Sequence, residues 1–320
     1  MMVNHCIWDE FSVPMRKFIK KHIADEEDAK DVLQEVFLKI HNNIGSVKAI
    51  NYLNGGCKMS NKEEAREFIR KNYAAVAQNG SEGGCCGGGC SCNGDSIDIN
   101  ETTMNIGYDV DDLVNAPVAS NMGLGCGNPI TIAELKEGEV VLDLGSGGGF
   151  DCFLARQQVG ETGFVIGVDM TPEMIQLARK NAQKSGYTNM EFRLGEIEHL
   201  PVADASVDVI ISNCVINLSL EKEKVFTDAY RVLKQGGRLS LSDVVATAEL
   251  PKAIKEDLGM LVGCISGAEH IDKIKAMMEN AGFNNIKMRP KDNSKEIFNI
   301  WVPGKKTEDY VASYIIEANK

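Results

Sequence analysis

Between residues 140 and 242 the chain alternates apolar runs with polar, glycine-bearing breaks. Val140-Val141-Leu142-Asp143-Leu144 is a short apolar run of strand type. It enters Gly145-Ser146-Gly147-Gly148-Gly149, a turn that only glycines make comfortably, and a helix is predicted over 150–156. A second run, 164–169, ends in an acid. A third covers 192–197, a fourth 207–214, and a fifth, 238–242, follows Gly236-Gly237. Helices are predicted between them. Thr171-Pro172-Glu173 opens one, with Thr171 as cap and Pro172 in the first turn, and another covers 221–233. Strand and helix in alternation predict an α/β fold, a doubly wound, Rossmann-like sheet.

The flanks read differently. Residues 8–21 and 25–43 are predicted as two amphipathic helices, the second with the stripe Ala29, Val32, Leu33, Val36, Phe37 and Ile40. Asn54-Gly55-Gly56 is the predicted linker. A helix over 61–78 should lay Ala65, Phe68, Ile69 and Val76 on the main domain, and 108–114 reads as a short helix. Residues 80–94 hold too much glycine for a stable fold. Beyond 250, a helical run over 251–261 leads into Val262-Gly263-Cys264-Ile265-Ser266-Gly267-Ala268, expected to fold over the site. A helix over 271–281, strands at 285–288 and 297–302, and a peripheral helix over 308–318 complete the prediction. The expected divisions are 1–56, a helical hairpin; 57–120, a helix and a Cys/Gly-rich loop; 121–250, the main ligand-binding domain; and 251–320, a C-terminal capping part.

Composition narrows the function. The formal net charge of −12 over 320 residues argues against a general nucleic-acid binder. No apolar run approaches the roughly eighteen residues of a membrane span. The N-terminus, with Asn4, His5, Asp9 and Glu10, has no secretory apolar core, so a cytoplasmic location is expected. In that compartment disulfides are rare, and ten cysteines point to metal or catalytic chemistry.

The glycine loop sets the ligand class. Asp143 stands two residues before Gly145, and an acid there disfavours pyrophosphate and favours a cationic or amine-bearing ligand. The pattern Asp143-Leu144-Gly145-Ser146-Gly147 resembles the first motif of class I S-adenosylmethionine methyltransferases. That resemblance implies S-adenosylmethionine as cofactor, with Asp143 supporting its methionine end and Gly145, Ser146 and Gly147 lying against it. It implies that Asp169 accepts the ribose hydroxyls and Met170 packs on the adenine. Glu196 and Ile197 would hold the adenine amine, and Asn213 would complete the set. The helix over 61–78 resembles the N-terminal helix that many small-molecule methyltransferases lay over the cofactor.

The cysteines suggest the acceptor. Cys85, Cys86, Cys90 and Cys92 crowd one glycine-rich stretch, whose spacing is not that of a paired zinc knuckle. It reads as a flexible thiol segment that captures a soft ion or resolves a disulfide. Cys126 lies between glycines on a loop expected to be irregular and accessible. Cys214 ends the fourth strand, and Cys264 lies in the capping segment. Any one of them alone reads as a small buried apolar residue, as Cys152 does. Together they flank the cleft where strand ends deliver ligands. Three converging thiolates suit a trigonal-pyramidal centre such as trivalent arsenic, whose lone pair attacks a sulfonium methyl with no general base. His199, the one histidine near the motifs, is as readily a surface residue.

Gly125-Cys126-Gly127, Ser212-Asn213-Cys214-Val215-Ile216-Asn217-Leu218 and Gly263-Cys264-Ile265-Ser266-Gly267-Ala268 resemble the thiol motifs of arsenite methyltransferases, over roughly residues 60–320. The resemblance implies that Cys126, Cys214 and Cys264 bind arsenite or its thiol conjugates. It also implies that methylated arsenicals form, and that an upstream cysteine regenerates the reduced centre by disulfide exchange, with thioredoxin or glutathione as reductant. Such ligation is expected to need cysteines made acidic by their surroundings or by arsenic itself. Two other readings stay open: a methyltransferase for an ordinary carbon, oxygen or nitrogen nucleophile, and a thiol-rich arsenic-sequestering protein. Residues 28–37 resemble the core-polymerase-binding helices of bacterial sigma factors. The promoter-reading helix of that family is missing, because Asn54-Gly55-Gly56 interrupts, so contact with RNA polymerase is not expected.

Overall fold

A computed structural model describes residues 62–79, 98–301 and 307–320. The hairpin over 1–56 and the Cys85–Cys92 cluster lie outside the described residues. The central element is a seven-stranded sheet of β1 (Val140–Leu144), β2 (Phe164–Asp169), β3 (Met190–Leu194), β4 (Val207–Asn213), β5 (Leu233–Ala246), β6 (Asn284–Pro290) and β7 (Val311–Asn319), in the order β3-β2-β1-β4-β5-β7-β6. The first five strands are parallel, and β7 runs antiparallel to both β5 and β6.

Eleven helices are described: α1 (Lys62–Asn79), α2 (Ile99–Asn105), α3 (Val110–Asn115), α4 (Pro129–Ala133), α5 (Phe150–Val159), α6 (Pro172–Ser185), α7 (Lys222–Val232), α8 (Lys252–Lys255), α9 (Leu258–Val262), α10 (Ile271–Ala281) and α11 (Ser294–Trp301). Among the described residues, none is long and apolar enough to cross a membrane.

Side chains of successive strand residues point to opposite faces, and both faces are buried. Val141, Val165, Val209 and Ile211 share one core with Phe153 of α5. Leu142, Leu144, Ile166 and Ile210 share the other with Phe226 of α7 and Met278 of α10. That parity sends Asp143 to the α5 side, where Cys152 meets it. Register aligns the carboxyl ends: Leu144 pairs with Val168 and Ser212, and Asn213 pairs with Ser242. The loops after β1, β2 and β4 therefore leave the sheet along one edge. Helix α1 covers part of that edge, with Ala65 and Ile69 packed on Leu261 and Val262.

The C-terminal part corrects three expectations. Residues 297–302 were expected as a strand, but Ser294–Trp301 is a helix. Its buried pair, Ile297 and Phe298, is consecutive, and neighbours in a strand would face opposite sides. Residues 308–318 were expected as a peripheral helix, but Val311–Asn319 is an interior strand. The apolar positions 311, 314, 315 and 318 satisfy helical spacing, yet its β-branched and aromatic residues pair with β5 along their whole length, Val244 opposite Ser313 and Leu241 opposite Ile316. The run over 251–261 is two short helices, because Asp257 accepts the backbone N–H of Gly259 and Met260 and starts α9 afresh. Thr171 precedes α6 as expected but makes no side-chain cap.

Candidate active site

The loop after β1 is held from below. Gly145 N and Ser146 N donate to Val168 O at 2.7 and 3.0 Å, and Gly147 N donates to Asp169 Oδ2 at 3.0 Å. Gly145 has φ +71°, and a Cβ there would strike the Val215 side chain, so glycine is required. Asp169 Oδ1 accepts Thr171 N at 2.8 Å. Each Asp169 oxygen keeps a lone pair for a hydroxyl donor.

A cleft, open at its mouth, lies over this edge. Asp143, Gly145, Ser146, Gly147, Asp169, Met170, Ile197 and Asn213 line it, as expected; Glu196 does not. Glu196 turns outward and takes Arg70 Nη2 at 2.6 Å, while Glu198, two residues on, lines the cleft and accepts Ser219 Oγ at 2.6 Å. The turn closed by His199 N donating to Glu196 O at 3.1 Å interrupts strand alternation, so the two acids do not share a side. His199 is exposed, and no histidine lines the cleft among the described residues.

The donor set fits a cation with polar arms. Ser146 Oγ is buried without a partner among the described residues, a vacancy for a ligand hydrogen bond. Burial and the Asp151 charge push Asp143 well above the usual carboxylate range, and burial raises Asp169. Burial lifts Asp151 to about 6, against the hydrogen bonds from Tyr108 and Asn213 that lower it. Three acids crowded this way favour a positively charged occupant. Cys152, read from sequence as inert filling, donates its Sγ to Asp143 Oδ2 at 3.2 Å.

The sign of the Asp151 shift makes a prediction. A carboxyl raised on folding contributes stability that is complete below its unfolded pKa and is lost as pH rises through about 6. Asp151→Asn removes that loss. The unliganded protein is expected to gain roughly 2 kcal/mol at pH 7 and to melt at a temperature less dependent on pH between 4 and 6, while binding the cofactor more weakly. Melting curves across that range check it; an unchanged slope would contradict it.

The three thiols come from distant parts of the chain and meet at the ends of β4 and β5. Cys214 interacts through its sulfur with both Cys126 and Cys264. Cys264 Sγ donates to Cys214 O at 2.7 Å, and Cys126 Sγ lies 3.6 Å from Ser242 Oγ. Among the described residues no three side chains stand as a ready-made metal-ligand set. The sulfurs are gathered, and side-chain rotation is needed to point them at one atom. Cys214 and Cys264 line the cleft. Cys126 was expected on an accessible loop; it is fully buried behind Cys214, because the loop folds onto the sheet rather than over the mouth.

The backbone around these sulfurs is tightly held. Cys214 and Cys264 have φ +59° and +60°, left-handed values that cost a non-glycine residue about 1–2 kcal/mol each. Asn217 Nδ2 donates to Cys264 O at 3.2 Å and to Asp243 Oδ1 at 3.0 Å. Asn213 Oδ1 accepts Cys126 N at 2.9 Å, while Lys291 Nζ and Ser313 Oγ donate to Cys126 O at 3.0 and 2.9 Å. Sequence reading missed Asn217, Lys291, Ser313 and Tyr108 in these roles, because each acts across a long separation that leaves no local pattern.

Two of the thiols, Cys214 and Cys264, are held in the neutral form. Burial first, then the neighbouring Cys126 and Cys264 sulfurs, pushes Cys214 well up. The hydrogen bond with Cys214 pulls Cys264 down, but burial and the Asp243 charge outweigh it and the net shift is upward. Of the two expected sources of acidity, the surroundings and arsenic itself, the surroundings do not supply it to Cys214 and Cys264, because desolvation favours the uncharged thiol.

A sequence model described as a methyltransferase domain matches residues 135–282. The chain is 50% identical over 264 residues to an arsenite methyltransferase of Halobacterium salinarum, covering 81% of this chain and 67% of that protein. It is 40% identical over 168 residues to the arsenite methyltransferase of Homo sapiens, covering 50% of this chain and 44% of the human protein. The chain thus spans about two thirds of the first relative and under half of the second. Its fold matches the crystal structure of an arsenic(III) S-adenosylmethionine methyltransferase from Chlamydomonas reinhardtii with a TM-score of 0.53 and 32% identity, over 69% of this chain and 73% of that one. The glycine loop, the acid-lined cleft and the extent of these likenesses agree: the chain belongs to the arsenite methyltransferase family, with the S-adenosylmethionine-dependent, Rossmann-like class I fold.

Proposed function

We propose that the chain transfers a methyl group to trivalent arsenic held by Cys126, Cys214 and Cys264. The observation that carries this reading is the meeting of those three sulfurs, two of them lining the same cleft as the glycine loop. S-adenosylmethionine supplies an electrophilic methyl on a sulfonium. Asp143, Asp151 and Asp169 favour its positive charge, and Ser146 Oγ offers it a hydrogen bond. Cys214 and Cys264 hold arsenic at the cleft wall. The arsenic lone pair becomes the As–C bond, and the electrons of the broken C–S bond go to the departing thioether. Arsenic is formally oxidised by two electrons, which an external thiol of the thioredoxin or glutathione class returns as a disulfide forms. No proton leaves the nucleophile, so the step needs no general base. The protein's contribution is placement, which can supply up to about 7–11 kcal/mol.

The neutral thiols add a testable consequence. Three thiols exchanging with the three hydroxyls of arsenous acid release water and no net proton. Arsenite affinity at the three-thiol site is therefore expected to stay flat, within about twofold, between pH 6 and 8, whereas a site of ionised thiols exchanging protons for a metal strengthens as pH rises. Calorimetry in buffers of different ionisation enthalpy reads both affinity and proton count; a steep rise would show that the thiols ionise on capture. The function itself is tested by incubating the purified chain with arsenite, S-adenosylmethionine and a thiol, then speciating the arsenic. Methylated arsenicals are expected, and binding without methylation would leave a sequestering protein.

A further inference from the structure

Tyr108 lies outside every motif that identifies the fold, yet it joins the two halves of the site. It is buried, and its ring meets Phe150 edge-on at 5.1 Å. Its hydroxyl donates to Asp151 Oδ1 at 2.6 Å and accepts from Asn213 Nδ2 at 2.9 Å. Asp151 lines the cofactor cleft. Asn213 Nδ2 also donates to Gly127 O at 2.6 Å, and its Oδ1 accepts Cys126 N at 2.9 Å and Gly127 N at 3.3 Å. Asn213 is thus the clamp that holds the Cys126 loop, and it immediately precedes Cys214. The loop has no slack: a Cβ on Gly125 would come within 2.5 Å of the Asn213 amide.

We infer that Tyr108 is a positioning residue whose hydroxyl, set between Asp151 and Asn213, makes the seating of Cys126 depend on the occupant of the cofactor cleft. The inference rests on the proposed function in taking Cys126 as a substrate-side thiol. An amide side chain carries a donor and an acceptor on one rotatable bond. Asn213 holds the loop only in the orientation that turns Oδ1 toward Cys126. Tyr108 reinforces that orientation beside Gly127 O and the Asp151 carboxyl, because its proton is committed to Asp151 and its lone pair faces Asn213. A cation entering the cleft favours the ionised form of Asp151, and a hydrogen bond to a carboxylate is about twice as strong as a neutral one. The commitment of the tyrosine proton therefore tightens when the cleft fills, and the orientation of Asn213 tightens with it. The thiol loop becomes firmest when the methyl donor is present.

The test is hydrogen–deuterium exchange of residues 121–129 in the wild type and in Tyr108→Phe, with and without S-adenosylmethionine and with no arsenic. Phenylalanine keeps the ring contact and removes only the hydroxyl. In the wild type the cofactor is expected to slow exchange of the Cys126 and Gly127 amides at least about fivefold, the low end for coupled sites. In Tyr108→Phe the affinity for cofactor should stay within about threefold, while the cofactor-dependent slowing falls below about twofold. Equal slowing in both proteins, or none in the wild type, overturns the inference. If Tyr108→Phe does not fold, Asp151→Asn serves instead. It keeps an acceptor for the tyrosine but removes the charge, and full retention of cofactor-dependent slowing at saturating cofactor overturns the inference equally. Failure to form methylated arsenic would sink the proposed function without changing this readout.

Discussion

Exchange of Cys214 for serine is expected to lower arsenite methylation by roughly a thousandfold, about 4 kcal/mol of transition-state stabilisation, with cofactor affinity unchanged. Cys214 is the thiol on which both Cys126 and Cys264 act, so its loss separates the remaining pair. Serine presents a harder, less polarisable donor that exchanges readily with water and does not hold a soft centre. The substitution spares the fold, since serine adopts the φ of +59° at the same cost as cysteine and fills nearly the same buried volume. Cys264→Ser should behave alike, for it shares the cleft wall and the left-handed backbone. Product-resolved kinetics beside calorimetric cofactor titrations separate the two effects. Retention of more than about a tenth of the parent rate by Cys214→Ser would remove the three-thiol centre.

Asp169→Ala is expected to weaken S-adenosylmethionine binding about a hundredfold, about 3 kcal/mol, leaving arsenite binding intact. Two losses combine. Gly147 N and Thr171 N each give up a hydrogen bond to a carboxylate, worth about 1.5–3 kcal/mol, and the glycine loop loses its tie to β2. The lone pairs left for ligand hydroxyls vanish as well. Asp169→Asn keeps one carbonyl acceptor and should fall between the two. A change under about threefold in Asp169→Ala would show that the ligand seats elsewhere in the cleft.

The parts of the structure that were legible in the sequence are those that local chemistry decides. Val140–Leu144 and Val207–Asn213 are continuous apolar runs closed by turn residues, and they are buried parallel strands. Ile271–Ala281 carries a clear amphipathic stripe and ends at Gly282, which has φ +106°, and its limits match the expected ones. Val311–Asn319 was misread because its spacing satisfies a helix and only the partner strand decides. Within the site, Glu196 and Glu198 are equivalent on paper. A turn between Glu196 and His199 interrupts strand alternation, and the first acid takes Arg70 while the second lines the cleft. Cys126, Cys214 and Cys264 were legible as a group because each sits at a chain break. The upward shift of the Cys214 and Cys264 thiols was not, since it depends on desolvation that only packing creates.

The strand order carries one more consequence. Strand β6 pairs within the sheet only with β7, which is synthesised after it, and Ser313 of β7 supplies one of the tethers on the Cys126 carbonyl. A nascent polypeptide emitted as far as Pro290 holds β1 to β6, yet its edge strand has no mate and the Cys126 carbonyl lacks its Lys291 and Ser313 tethers. The Cys126 carbonyl gains its Ser313 tether only once β7 has been made.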